Sequence, residues 1–440
     1  DEKIRYADIT SLYPTVNKYD VYPVGIPKKL THFENTDISG FLGFVKCAIL
    51  PPRGLYHPVL PHRCEKLTFP LCRTCVEKQQ VHKCEHTDDE RMLYGTWTTP
   101  ELTVAIENGY KITKIYEVEH YEKYVQGIFK DYINMFLKIK QECSGYPKWV
   151  KTDIDKDLYI RNYYEHEGIR LDKSKIMKNS GLRFIAKIYL NSLWGKFGQR
   201  PNMTQTIYFN ENDIATYQNM ITNYTVLNKN KKMTIDRDSL NIQMLDDNLM
   251  EVSFKEIQEE DENESSVNIA SFTTAHARLR LYEKLKYLGD RVIYYDTDSI
   301  IYVDRNDGIN IELDDYLGDW TNELEDYGFD YCKKFVSIAP KVYAYQLPND
   351  TYVSKIKGFT RNLDNAEQLS FDVLEKIATT KSHVETMTYN HFKIHRVGTI
   401  EVKAMDKKLS YTYSKRVISN TEYNIDTGKL ICIDTIPYGF

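Results

Sequence analysis

Asp296-Thr297-Asp298-Ser299 sits between two short apolar runs, Arg291-Val292-Ile293-Tyr294-Tyr295 and Ile300-Ile301-Tyr302-Val303. No other stretch of the chain restricts the fold so narrowly. Two β-branched and aromatic runs separated by a few turn-forming residues read as antiparallel strands joined by a tight turn. The turn carries carboxylates at a fixed point, the hard oxygen ligands that Mg²⁺ takes. Asp also favours turns for conformational reasons alone, so one acidic hairpin has a bland explanation as well.

Two further segments shift that balance. In Ile4-Arg5-Tyr6-Ala7-Asp8-Ile9-Thr10-Ser11-Leu12-Tyr13-Pro14, Ile4, Tyr6 and Asp8 alternate as on a strand, and Pro14 is expected to end the run after Tyr13. In Arg183-Phe184-Ile185-Ala186-Lys187-Ile188-Tyr189-Leu190-Asn191-Ser192-Leu193-Trp194-Gly195-Lys196-Phe197-Gly198, the residues Arg183, Lys187 and Asn191 lie four apart. On a helix they share one face, which can offer two positive charges to a triphosphate.

Read in order, the patterns starting at Asp8 (DxxSLYP), at Lys187 (KxxxNSLxG) and at Tyr294 (YxDTDS) resemble motifs A, B and C of family B DNA polymerases. The NSLxGKF form is similar to the protein-primed branch found in some phages, linear plasmids and self-synthesising transposons. Lys341-Val342-Tyr343 resembles that branch's KxY motif, and Lys355-Ile356-Lys357-Gly358-Phe359 its lysine-glycine segment beside the thumb. Each motif alone could arise by chance; five in the family's order are specific. Reverse transcriptases carry adjacent aspartates where this chain has Asp-Thr-Asp.

The resemblance implies an α+β right-hand fold: an antiparallel palm sheet backed by helices, helical-hairpin fingers, a small thumb and an inserted subdomain. Residues 1–20 would begin the palm, 21–120 form the insertion, 121–198 the fingers, 199–270 a second insertion with palm strands, 271–365 the rest of the palm and 366–440 the thumb. In the family the first insertion holds the terminal protein and DNA, and the second is linked to strand displacement and processivity. The implied activity is templated dNTP addition to a DNA 3′-hydroxyl or a terminal-protein hydroxyl, replicating a viral or mobile-element genome. Expected partners are primer-template DNA, dNTPs and a terminal protein, with the chain a monomer. The alternative is a catalytically retired polymerase that only binds nucleic acid or a partner.

By the same resemblance, Asp8 and Asp298 would hold two Mg²⁺ ions, with Asp296 beside them. Ser11 and Leu12 would offer backbone N–H groups to the triphosphate. Arg183, Lys187 and Lys140 would supply positive charge, and Lys187 could give a proton to pyrophosphate. Tyr13 would lie beneath the sugar and exclude a 2′-hydroxyl. Asn191, Ser192, Trp194 and Gly195 would face the nascent base pair, although Trp194 replaces the family's usual Tyr. Lys341, Tyr343 and Lys355 would contact the primer strand. A proofreading exonuclease would precede motif A in the family. Only seven residues do so here, so the chain reads as a fragment or as a polymerase without that activity.

A net charge of −5 over 440 residues is not that of a simple DNA binder. The charge is uneven, however. Nine acidic residues face Lys255 alone between Leu245 and Glu264, whereas eight basic residues face three acidic ones between Lys381 and Arg416. This suggests a solvated acidic loop and a basic, DNA-gripping tail. No run of eighteen apolar residues occurs, so no membrane helix is expected. Eight cysteines, four of them crowded together, favour a reducing intracellular compartment over a disulfide scaffold. Cys72-x₂-Cys75-x₈-Cys84-x-His86 fits one structural Zn²⁺, with little apolar periodicity around it to build a core; reduced cysteines in a loop remain the alternative.

Three local expectations complete the reading. Tyr121–Glu142 should be one amphipathic helix whose stripe runs through Tyr124, Ile128, Tyr132, Ile133, Phe136 and Leu137. Ala275–Leu288 should be a helix capped by Thr273 or Thr274. Residues 199–268 should alternate short strands with polar turns and close in a mobile acidic loop.

Overall fold

The computed structural model describes residues 2–199, 203–228, 231–246, 249–257, 266–359, 365–380, 384–394, 400–423 and 430–440. Much of the acidic run, Asp247 and Glu259 to Glu264, lies outside them, as do Lys381 and Arg396 of the basic tail. The chain divides into two compact units. The larger holds Asp1–Trp194, Ser271–Thr388 and Asp406–Phe440; the smaller holds Gly195–Ala270 and Tyr389–Met405. The architecture is α+β.

The larger unit is built on a four-stranded antiparallel sheet. Its order is Val292–Asp296, Ser299–Asp304, Lys3–Ile9, Trp320–Asn322, so the first strand of the chain lies inside it. Period-two alternation sorts that strand's side chains. Ala7 and Ile9 pack with Leu12 and with Ala277, Leu281 and Leu285 of the helix Val267–Leu288. Tyr6 points to the other face, into a cluster with Ile301, Leu324, Tyr343 and Tyr345. A three-stranded sheet, Lys334–Ala339, Val342–Gln346 and Tyr352–Ile356, shares its core with the helix Phe371–Thr380. The strands Val384–Ile394 and Ile400–Ser410 pair, as do Val417–Tyr423 and Leu430–Ile436.

The insertion after motif A has a sheet of its own, ordered Lys28–Leu30, Lys111–His120, Gly43–Leu50, Leu93–Thr98. Val45, Ile49, Leu93 and Trp97 close its core against Leu102 and Ala105 of the helix Thr99–Glu107. The small core expected for this insertion is therefore confined to the cysteine-bearing excursion between two of these strands.

Three helices, Lys130–Glu142, Asp153–Glu167 and Ser180–Phe197, share a core around Ile133, Leu137, Tyr163 and Leu190. In the smaller unit, strands Gln205–Asn210, Leu249–Glu256, Lys231–Asp246 and Thr225–Asn228 form a sheet whose core Phe209, Val252 and Phe254 is joined by Met220 from the helix Ile214–Asn223. Among the described residues no helix is long and apolar enough to cross a membrane.

Several local expectations need correction. The strand from Lys3 stops at Ile9, and Pro14 lies in the first turn of the helix Leu12–Tyr19. There its missing N–H costs nothing, since that donor has no helical partner anyway. Tyr121–Glu142 is not one helix: Lys123–Gln126 is a strand paired with Val21–Val24, and the helix begins at Lys130. Gly127, at φ +64°, makes the break, and a Cβ there would lie 2.5 Å from the Lys18 carbonyl oxygen. Tyr124, off the helix, is 66% exposed. The helix expected from Ala275 begins at Val267. Neither Thr is a cap: Thr273 bonds the Tyr22 hydroxyl at 3.0 Å and Asn17 at 3.2 Å, and Thr274 Oγ1 donates back to the Ser271 carbonyl at 3.0 Å.

Candidate active site

Strand pairing brings the two motif aspartates together. Asp8 is opposite Ser299 in the antiparallel register, and the Ile9 N–H donates to the Asp298 carbonyl at 2.7 Å. The turn that presents Asp298 is tight. Thr297 has φ +55°, and the Asp298 N–H reaches back to the Asp296 carbonyl at 2.6 Å.

The electrostatics are those of a site short of positive charge. Burial first, then Asp298 and Glu323, push the Asp8 carboxyl up to about 8, against the weaker pull of Lys355 and Lys187. Asp298 is also raised, by burial and by Asp296 and Glu323, with Lys341 opposing. Glu323 had no sequence signal. It follows the edge strand Trp320–Asn322, which pairs with the Asp8 strand, and its N–H donates to the Tyr6 carbonyl at 3.0 Å. A run such as Trp320 to Leu324 has no motif to betray it; only the pairing does.

The three residues expected on the primer strand form an inner layer. Lys341 Nζ is 2.7 Å from Asp296 Oδ2, and Lys355 Nζ is 3.7 Å from Glu323 and 5.3 Å from the Tyr6 ring centroid. Tyr343 is only 7% exposed, with its hydroxyl 2.8 Å from that of Tyr6. Its ring is core, and the two lysines are paired with acids of the site.

The cationic side is built by the helices Lys130–Glu142 and Ser180–Phe197 and the turn after Ile9. Ser11 has a left-handed backbone, φ 56° and ψ 57°, as N-cap of Leu12–Tyr19. Its Oγ accepts from Lys140 Nζ at 3.1 Å. Arg183 Nε donates to Ser144 Oγ at 3.0 Å, and Ser144 Oγ donates to the Lys140 carbonyl at 2.7 Å. Burial, then Arg183 and Lys187, bring Lys140 down to about 8. The Glu167 carboxylate opposes this, more weakly than the two cations act. Leu12 is fully buried and anchors this turn.

Lys187, Asn191 and Ser192 line an open recess of about 360 Å³ with Phe184 and Ile188. Tyr13 and Trp194 stack at 4.5 Å between centroids, 25° from parallel, so Trp194 keeps an aromatic platform against the motif A ring. Gly195 is on the same helix, in its last turn. Asp8, Asp298, Asp296, Tyr13, Lys140, Arg183 and Lys187 thus gather in one region.

Elsewhere, Cys72, Cys75, Cys84 and His86 place their ligand atoms within 4.8 Å of one another.

These features, carboxylates on adjacent strands facing a cationic helix pair, agree with three comparisons. The family model for DNA polymerase type B, organellar and viral, matches residues 1–287, and the chain belongs to that family. A protein named probable DNA polymerase from Neurospora intermedia is 24% identical over 352 residues, covering 77% of this chain and 28% of that protein. One from Ascobolus immersus is 24% identical over 445 residues, covering 99% and 30%. The chain therefore spans about a third of the length of these relatives. Among solved structures, phi29 DNA polymerase complexed with primer-template DNA and incoming nucleotide substrates aligns with TM-score 0.53 at 16% identity, over 94% of this chain and 59% of that one. The orthorhombic crystal form gives 0.54 at 17% identity. The fold is the right-hand polymerase fold.

Proposed function

We propose that this chain carries the polymerase core of a DNA-directed DNA polymerase. The observation that carries the reading is the pairing of the Asp8 strand with the Asp298 hairpin, opposite the Lys140–Arg183–Lys187 cations. A primer end and a dNTP need acids on one side and triphosphate ligands on the other; both sets are present.

The donor set fits divalent metal. Asp8 and Asp298 repel each other in a half-buried setting where their charge is costly, and that cost falls when a cation sits between them. Asp8 and Asp298 would hold two Mg²⁺ ions, with Asp296 alongside, tethered by Lys341. Mg²⁺ in such a pair lowers the pKa of the attacking hydroxyl and neutralises charge on the phosphates. The chain's own residues do the rest. Lys140, Arg183 and Lys187 hold the β and γ phosphates, and Lys187 can donate a proton to the departing pyrophosphate. Tyr13 closes the floor under the sugar, and Trp194 stacks beside it. Asn191, Ser192 and Gly195 face the new base pair. The primer lies toward Lys341 and Lys355.

The NSLxGKF form supports priming by a terminal-protein hydroxyl as well as by DNA, in replication of a viral or mobile-element genome. Transfer of one labelled deoxynucleotide to a protein side chain would test that finer reading. In the same proposal Cys72, Cys75, Cys84 and His86 hold one structural zinc ion.

The deciding experiment is extension of a labelled primer on a template with dNTPs and Mg²⁺. Wild type should extend it, while Asp8→Ala and Asp298→Ala, shown to be folded by their melting curves, should lose on the order of a thousandfold in rate. Asp296→Asn should lose less. DNA binding without extension by wild type would favour the retired-polymerase alternative.

A further inference from the structure

The cysteine cluster has the dimensions of a metal tetrahedron. Its three thiol sulfurs lie 3.6, 3.3 and 3.7 Å from His86 Nδ1, for Cys72, Cys75 and Cys84. Tetrahedral zinc, with Zn–S of about 2.3 Å and Zn–N of about 2.05 Å, sets a sulfur-to-nitrogen edge of about 3.5 Å. The cysteines are buried and unpaired as disulfides. Cys72 caps the short helix Arg73–Glu77, and its sulfur accepts from the Cys75 N–H at 3.4 Å. Arg53 fixes the second ligand pair, donating to the carbonyls of Cys84 at 3.2 Å and His86 at 2.8 Å. Such outer contacts orient metal ligands. Four protein ligands leave no open position for chemistry, which points to a structural part.

What the cluster touches suggests what that part is. Cys72, Cys75 and Cys84 share one apolar cluster with Val417, Ile436 and Tyr438, more than 330 residues further along the chain. The Leu71 N–H donates to the Tyr438 carbonyl at 2.7 Å. Gly439, at φ +87°, lies so close to the ligand that a Cβ there would be 2.3 Å from the Cys72 Cβ and 2.6 Å from its nitrogen. Lys66 Nζ donates to Ser414 Oγ at 2.8 Å, and Arg416 donates to the Tyr56 carbonyl at 3.2 Å. The other end of this segment is fastened to the palm side, where the Thr412 N–H donates to the Ile338 carbonyl at 2.8 Å.

We propose that the zinc-loaded Cys72-Cys75-Cys84-His86 centre is a latch: it forms the seat on which residues 414–423 and 430–440 dock. The inference rests on the zinc reading above. On the seat's side of that cluster three of the four buried residues are the ligand cysteines, Val76 being the fourth, so the ligand geometry does much to keep the seat in shape. Remove the metal and three thiols and an imidazole are free to change rotamer, Cys72 moves, and the surface that fits Gly439 is lost. Residues 414–423 and 430–440 then keep the strand-side bond at Thr412 and the contacts of Lys66 with Ser414 and of Arg416 with Tyr56, and lose the buried seat.

The test is zinc content by elemental analysis, followed by hydrogen exchange of the peptides covering 64–76 and 430–440. Measurements are made before and after chelation, and after returning Zn²⁺ or Mg²⁺. The expected result is about one zinc per chain. Chelation, or Cys75→Ser, should speed exchange in both peptides by about tenfold or more, with rescue by Zn²⁺ and not by Mg²⁺. Gly439→Val should keep its zinc and the protection of the 64–76 peptide while releasing 430–440. A chain without zinc overturns the zinc reading itself. A zinc-loaded chain whose 430–440 segment exchanges no faster after chelation, or is undisturbed by Gly439→Val, overturns the latch and leaves the metal site standing. Should Cys75→Ser fail to fold, chelation of wild type and Gly439→Val still decide the matter.

Discussion

Lys18 and Glu167 form an ion pair at 2.8 Å with their side chains only 1% and 2% exposed. Lys18 lies on the helix that follows Asp8, and Glu167 ends a finger helix. The pair is fully satisfied. Lys18 also donates to the Glu167 carbonyl at 3.0 Å, and the Glu167 carboxylate accepts from Tyr19 at 3.2 Å and from the Leu317 N–H at 2.7 Å. It pins the helix Asp153–Glu167 to the helix Leu12–Tyr19 that follows Asp8.

Breaking one side of such a pair strands a buried charge. Lys18→Met or Glu167→Gln should therefore destabilise the protein by about 3–5 kcal/mol, read from urea denaturation. Lys18→Met with Glu167→Leu should cost less than the two single losses combined, because no orphan charge remains. Additive losses would mean that the two side chains act independently.

The Asp8 carboxyl sets a pH dependence. Its folded pKa, about 8, is above the ordinary carboxylate value, so the native metal-free chain keeps a proton that the unfolded chain has released between roughly pH 4 and 8. Stability from this group is fully present below that window and falls as pH rises through it. Mg²⁺ must displace the same proton, so its stabilising effect should grow from pH 6 to pH 8 and then level. Melting curves with and without Mg²⁺ across that range check both slopes, and Asp8→Asn should flatten them.

In the proposed site the stack of Tyr13 on Trp194 would make sugar selection a two-ring matter. Tyr13→Ala should raise ribonucleotide use relative to deoxynucleotide use by at least about tenfold, since it removes a steric block and no bond needed for chemistry. Trp194→Ala should leave that ratio nearer the parent and weaken dNTP binding instead, through loss of the stacking surface. Single-turnover incorporation of matched rNTP and dNTP gives both numbers.

Lys140 is held down to about 8 by burial and by two neighbouring cations. In the proposed site a bound triphosphate would add negative charge beside these cations, so affinity for dNTP should fall as pH rises above 8, where Lys140 is neutral. Lys140→Met should raise KM for dNTP about tenfold with a smaller change in kcat, and should remove that alkaline limb. An unchanged profile would place Lys140 outside the triphosphate site.

The parts of this site written as local patterns were legible. The hairpin at Asp296–Ser299, the helix bearing Lys187 and the compact cysteine spacing all announce themselves within twenty residues. Glu323 did not, because it reaches Asp8 through strand pairing across more than 300 residues and carries no periodic signal of its own. The helix Asp153–Glu167 gave no signal of its own because its apolar residues do not collect on one face; Ile154 is 80% exposed, and Tyr163 is its one buried aromatic residue. The helix Ile214–Asn223 was missed among strands, as its few apolar positions lean on Met220 alone for deep burial. Thr273 misled as a cap since a buried hydroxyl bonding Tyr22 and one capping a helix look alike in one dimension.

The place of the Lys3–Ile9 strand has one more consequence. It lies between Ser299–Asp304 and Trp320–Asn322, so its ladder bonds close only when the chain's opening residues meet partners about 300 positions later. Contacts of that separation are slow to form and are reached late on a folding route. During synthesis Asp8 precedes the Asp298 hairpin by about 290 residues and has no partner until that hairpin follows. Completion of the central sheet and assembly of the Asp8–Asp298 pair are thus a single event, and a half-made chain holds neither.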